Sequence, residues 1–180
     1  MPILSTFVNN TMPMNTPSER IFDAEKIEKC TLRMAYQIYE ANFGIKKLFL
    51  IGIAENGLKF ALQLKKQLEA VSPLEVELHA LSINKKDPLN KVTLSIAKEE
   101  IQNQSVVVID DVLNTGSTLM YAVKHLLDVR INQLNTAVLV NRNHKRYPIK
   151  ADFKGVSLST SINEHVAVVL EGDNAGIFLS

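Results

Sequence analysis

Residues 106–119, VVVIDDVLNTGSTL, constrain this chain more than any other stretch. Val106, Val107, Val108 and Ile109 form an unbroken apolar run of β-branched residues. A strand without polar alternation is buried on both faces, the condition of a central strand in a parallel sheet covered by helices. The run is expected to stop at two carboxylates, Asp110 and Asp111. A short loop follows, Asn114-Thr115-Gly116-Ser117-Thr118, and helical spacing resumes from Leu119 to Leu127. A loop rich in Thr, Gly and Ser that opens a helix suits an anion. The first N–H groups of the helix lack intrahelical partners, and its dipole favours negative charge there. Two acids beside such a loop do not suit the anion itself. They suit a sugar, whose vicinal hydroxyls donate hydrogen bonds to carboxylates. The stretch therefore predicts a ribose 5-phosphate site.

The rest of the chain supplies the frame for that strand. A helix is expected over 24–43, with Asp23 as its N-cap and Gly44 as its C-cap, because Ile27, Cys30, Met34, Ala35, Ile38 and Ala41 keep helical spacing. KLFLIGI at 47–53 predicts a core strand, followed by the loop Ala54-Glu55-Asn56-Gly57 and a helix over 58–70. Further strands are expected at 76–81 and 134–140, and short ones at 153–158, 166–170 and 177–179. Residues 82–98 are polar, without a firm period, and are expected to form a mobile loop over a site. Residues 1–19 read as a tail with a short strand at 3–8, and 20–180 as one domain. The βα, βα, βα, β succession predicts a doubly wound α/β fold with a β-rich end. Ligands in such a fold sit outside the carboxyl ends of the strands, where the loops at 54–57, 110–118 and 141–148 all fall.

Bulk properties narrow the function classes. A net charge of +1 over 180 residues predicts no polyanion partner from the total alone. Cys30 is the only cysteine, so no internal disulfide is possible, and it is expected to pack within a helix. No apolar run reaches the ~18 residues of a membrane span, and no secretory signal precedes the domain, so a cytoplasmic setting is expected. His79, His125 and His165 read as incidental.

The acid pair followed by Thr-Gly-x-Thr, all behind an apolar strand, resembles the signature of type I phosphoribosyltransferases. LNTAVLVNRNHKRYPIKADFKGVSLSTS and IFDAEKIEKCTLRMAYQI further resemble the bifunctional pyrimidine-operon attenuator and uracil phosphoribosyltransferase family. The resemblance covers about residues 20–180. It implies the type I phosphoribosyltransferase fold, a mostly parallel sheet flanked by helices with a small β-rich hood. It also implies a Mg²⁺-dependent transfer of ribose 5-phosphate from 5-phosphoribosyl-1-pyrophosphate (PRPP) to a nucleobase, with uracil giving UMP and pyrophosphate. Asp110 and Asp111 would be catalytic and hold the ribose hydroxyls. Asn114, Thr115, Gly116, Ser117 and Thr118 would hold the 5′-phosphate. Ala54, Glu55, Asn56 and Gly57 would form the pyrophosphate loop, Lys85 and Lys86 would lie on the flexible loop, and Arg142, His144 and Lys145 near the base. A homodimer or larger homo-oligomer is implied.

Three stretches depart from the family. Its Arg-Thr-Arg-Gly pyrophosphate loop is Ala54-Glu55-Asn56-Gly57 here, with two cations lost and one anion gained. A carboxylate ~4 Å from a phosphate charge costs about 4 kcal/mol at an effective dielectric near 20, or roughly a thousandfold in affinity. Its Tyr-Arg-Asp-Asp loop is nearest matched by Ile83-Asn84-Lys85-Lys86-Asp87-Pro88, where a lysine supplies charge without the planar fork of arginine. On its RNA-binding first helix only Arg33 is kept unchanged, and Glu28 opposes phosphate contacts. A catalytically impaired nucleotide- or PRPP-binding regulatory protein therefore stands beside the enzyme reading, with RNA binding a weaker third.

Overall fold

Successive residues of the central strands part to opposite faces of one sheet, as the period of two requires. The computed structural model describes residues 19–84, 92–159 and 164–180; the strand expected at 3–8 and Lys85 and Lys86 lie outside these. β1 (Glu19–Asp23) leads into α1 (Ala24–Ala41). β2 (Lys47–Ile53) and α2 (Asn56–Val71) follow, then β3 (Glu75–Ser82) and β4 (Thr93–Leu94). A 3₁₀ turn at Lys98–Ile101 precedes β5 (Ser105–Leu113), α3 (Ser117–Leu126) and β6 (Gln133–Arg142). The short strands β7 (Phe153–Leu158), β8 (Val166–Val169) and β9 (Gly176–Leu179) complete the described chain.

The main sheet has the order β4-β3-β2-β5-β6-β7. All its pairs are parallel except β3 with β4. Leu48 and Leu50 of β2 and Val107 and Ile109 of β5 face α1 and α2, while Phe49, Ile51, Val106 and Val108 face α3 and the 3₁₀ turn. These side chains are almost fully buried, and each such burial is worth about 1.5–3 kcal/mol. A second, antiparallel sheet, β1-β9-β8, forms the hood. Its register joins Glu19 to Leu179 and Asp23 to Gly176.

Several expectations change in detail. β5 does not stop at Ile109 but runs through both acids to Leu113. Pairing with β6 continues there, Asp110 opposite Val138 and Leu113 opposite Asn141, so ladder hydrogen bonds outweigh the strand-breaking tendency of two carboxylates. Asp23 does cap α1, accepting from the Lys26 N–H at 2.9 Å. The C-cap is Asn42, whose side chain also donates to the Ile38 carbonyl, and Gly44 takes the left-handed conformation two residues later. Part of the 82–98 stretch is structured, because β4 pairs antiparallel with β3. Cys30 is only partly buried.

Candidate active site

β5 carries its two acids to the carboxyl edge of the sheet, where they are 3% and 7% exposed. The Asp111 N–H donates to Asp110 Oδ1 at 3.0 Å, fixing the first carboxylate against the second residue's backbone. Asp111 Oδ2 accepts from Asn56 Nδ2 at 3.2 Å, and the same amide donates to the Val168 carbonyl at 3.3 Å. Asn56 therefore ties three pieces together: the first turn of α2, the acid pair and the hood. Gly57 makes this approach possible. A Cβ there would lie 2.9 Å from the Ile109 carbonyl oxygen and 3.0 Å from Asp110 Cα, contacts too short for any other residue.

Residues 114–118 turn tightly from β5 into α3. Gly116 sits at the N-cap of α3 with φ of 86°, in the left-handed region, and a Cβ would also strike Ile149 Cγ2 at 2.7 Å. The Ser117 N–H turns to Thr115 Oγ1 at 3.3 Å. The basic loop braces this one from below, since the Arg146 and Tyr147 N–H groups both donate to the Thr115 carbonyl, at 2.8 and 3.1 Å.

A cleft of about 500 Å³ joins these parts. Its lining includes Asn56, Asp110, Asp111, residues 112–116, Thr118, Leu119, Arg142 and residues 165–168 at the hood. Ser117 does not line it. Of the three residues expected near the base, Arg142 lines the cleft, and His144 and Lys145 do not. Arg142 is 5% exposed and donates to the Glu164 carbonyl at 2.7 Å, so it also fastens the hood. Burial, then the nearby Lys154 and Lys150 ammonium groups, pull the Lys145 pKa below its ordinary value.

Ala54, Glu55, Asn56 and Asp111 border an adjoining hollow of about 330 Å³. The Ala54–Glu55 peptide bond is cis. Glu55 is at the N-cap of α2, makes no side-chain capping bond, and is exposed. It borders the hollow and is exposed to solvent. Water-like screening lowers the expected cost near a phosphate from about 4 to about 1 kcal/mol, so the thousandfold loss expected from the sequence shrinks to roughly fivefold.

Two contributors to the cleft were not legible in the sequence. Asn56 was named only as part of a loop, and its bond to Asp111 depends on how α2 packs on β5. His165 read as incidental, yet it lines the cleft from the hood. A lone His before a short strand carries no signal of that placement.

Two buried carboxylates, the Gly116 turn into α3 and a strand of the hood thus meet at one cleft on the carboxyl edge of the sheet. The Phosphoribosyl transferase domain family matches residues 17–172. The bifunctional protein PyrR of Pediococcus pentosaceus is 33% identical over 172 residues, covering 89% of this chain and 97% of the relative. The bifunctional protein PyrR of a Geobacter species is 35% identical over 162 residues, covering 86% and 92%. Among solved structures, a hypoxanthine-guanine phosphoribosyltransferase of Bacillus anthracis matches with a TM-score of 0.72 at 17% identity, covering 90% of this chain and 95% of that one. The hypoxanthine phosphoribosyltransferase of Trypanosoma cruzi matches with 0.72 at 21% identity, covering 89% and 93%. The chain belongs to the phosphoribosyltransferase family, and within it to the group of the PyrR proteins.

Proposed function

We propose that the protein transfers ribose 5-phosphate from PRPP to a nucleobase, with uracil the base and UMP and pyrophosphate the products. The observation that carries this is the pair of buried acids set between an anion loop and a hood in one cleft. Asp110 and Asp111 accept the ribose 2′ and 3′ hydroxyls. The N–H groups and hydroxyls of residues 114–118 hold the 5′-phosphate against the dipole of α3. As the bond to pyrophosphate lengthens, positive charge develops on the sugar, and the fixed carboxylates stabilise it without having to reorganise. The hood keeps water from intercepting that cation.

The donor set also suits Mg²⁺, which accepts oxygen ligands and commonly takes one or two carboxylates, with ligand phosphates and water supplying the rest. No group of three metal-binding side chains occurs among the described residues, so Asp110 and Asp111 would be the protein's share. When bound, the ion would neutralise charge on the leaving pyrophosphate.

Incubation with PRPP, Mg²⁺ and each common base, with nucleotide formation as the readout, tests the proposal. Product with uracil supports it, and no product with any base removes it.

Glu55 in the place of the family's cations favours a second reading, a nucleotide-binding protein of impaired turnover. UMP binding without PRPP binding in calorimetry would select it, and tight PRPP binding would dismiss it. RNA binding is less favoured. Arg33, the one residue of that surface kept unchanged on the first helix, donates to the Lys154 and Gly155 carbonyls at 3.0 and 2.6 Å, which spends its guanidinium within the fold. A gel shift with pyrimidine-operon leader RNA tests that judgement. No helix among the described residues is long and apolar enough to cross a membrane. A cytoplasmic homodimer or larger assembly is the expected form, and light scattering measures the assembly.

A further inference from the structure

We infer that α1 packs antiparallel against α1 of a second copy of this chain, through a stripe of Leu32, Tyr36, Tyr39 and Phe43. The inference rests on the expectation of a homo-oligomer and names the face that joins the copies. One face of α1 is settled within the fold, where Ile27, Thr31, Met34, Ala35 and Ile38 are buried. At 3.6 residues per turn, Leu32, Tyr36, Tyr39 and Phe43 gather on a second face, across an arc of about 60°. Six large hydrophobic side chains are exposed among the described residues, and Leu32, Tyr36 and Phe43 are three of them. Single exposed hydrophobic residues are ordinary, but a contiguous patch marks an interaction surface. Tyr39 is partly buried, and its ring packs on that of Phe43 with centroids 6.2 Å apart. Phe43 lies one residue past the Asn42 cap, and its N–H still donates to the Glu40 carbonyl at 3.3 Å, so the turn prolongs the stripe.

The steps of four, three and four residues along the stripe are those of a coiled-coil seam. Turned about a two-fold axis, the seam meets itself. Leu32 then lies opposite the partner's Phe43, and Tyr36 opposite the partner's Tyr39, so every member finds an apolar neighbour. The same register sets the exposed Glu40 beside the partner's Arg33, once on each side of the axis. Arg33 brings its full charge to that pair, because the carbonyls to which it donates are neutral. The area fits as well. With roughly 200 Å² for a whole aromatic side chain, exposures of 37% at Leu32, 55% at Tyr36 and 80% at Phe43 leave roughly 300 Å² of apolar surface on each copy. Two copies then bury roughly 600 Å², close to the apolar share of an interface of about 1,200 Å², the lower end for a stable pair.

Light scattering of the full chain over a range of concentrations tests this. Tyr36→Glu and Phe43→Glu are each expected to halve the mass of the wild-type assembly, raising its dissociation constant about a hundredfold or more, since two charges enter one seam. Leu62→Glu, at an exposed position of α2, is the control and is expected to keep the wild-type mass. An unchanged mass in both stripe variants overturns the inference and leaves the homo-oligomer to another face. A matching loss in the control also overturns it. A monomeric wild type defeats the homo-oligomer expectation and the inference together. Cross-linking decides the matter where the acidic variants fail to fold. In a Cys30→Ser background, Tyr36→Cys sets its two thiols within about 10 Å across the pair, while Leu32→Cys sets them about 16 Å apart along the axis. A short bismaleimide is expected to join copies of the first and not of the second, and joining both or neither overturns the antiparallel pairing.

Discussion

Glutamine at position 55 removes one negative charge from the hollow that Glu55 shares with Asp111, and arginine reverses it. Two unit charges ~4 Å apart interact by about 1 kcal/mol in water and about 4 kcal/mol at an effective dielectric near 20. Glu55 is exposed, so the lower figure applies. Glu55→Gln should tighten PRPP binding by roughly fivefold, and Glu55→Arg, a change of two charges, by roughly thirtyfold. Titration calorimetry with PRPP and Mg²⁺ measures both. UMP is the control, because it shares the sugar and 5′-phosphate but has no pyrophosphate to meet residue 55. The gain should shrink as salt rises, since exposed charges are screened. Unchanged PRPP affinity in both variants refutes the charge reasoning. An equal gain for UMP also refutes it, because the effect would then lie on the 5′-phosphate.

Other perturbations probe separate parts of the fold. Asp111→Asn should lower turnover by on the order of a hundredfold while the melting temperature holds or rises, since one of two adjacent buried acids is neutralised; steady-state rates and thermal melts measure this. Gly57→Ala should cost about 1–3 kcal/mol of stability and weaken UMP binding, because the added methyl meets the Ile109 carbonyl and Asp110; chemical denaturation and calorimetry check the two effects. Burial, then Lys98 with Nζ 3.3 Å from its Nδ1, lowers the His125 pKa from 6.5 against the opposing pull of Asp128. The unfolded chain then takes up that proton first as pH falls. The His125 contribution is complete above the unfolded value and is lost toward and through the lower folded one. His125→Gln should flatten the loss of melting temperature between about pH 7.5 and about pH 5, and an unaltered slope would contradict the assignment.

What was legible in the sequence followed from how locally each element is determined. β2, β5 and β6 were readable because strands buried on both faces need apolar runs whatever surrounds them. The break between β5 and α3 was readable because a polar loop containing Gly between an apolar run and a helical period restricts residue type locally. β4 escaped notice because Thr93 and Leu94 are strand only by virtue of pairing with β3. Glu19–Asp23 likewise becomes β1 through β9, which lies at the other end of the sequence. Asn56 and His165 gained their places from tertiary closure: α2 packed on β5 in one case, the hood laid across the cleft in the other. The charge at Glu55 was legible, but its exposure was not, and exposure decided the magnitude.

The hood also sets an order of assembly. β1 is made first and β9 last among the described strands, yet they lie side by side. As the chain emerges during synthesis, β2, β3, β5 and β6 are all complete before the partner of β1 exists. The parallel sheet can therefore gather while the cleft still lacks a wall, and β1 waits unpaired through most of translation. Contacts between distant segments form late because a long loop must first be closed. Competence to hold a ligand arrives as a final zipping step, and a nascent chain halted before β8 would carry its acid pair open to solvent.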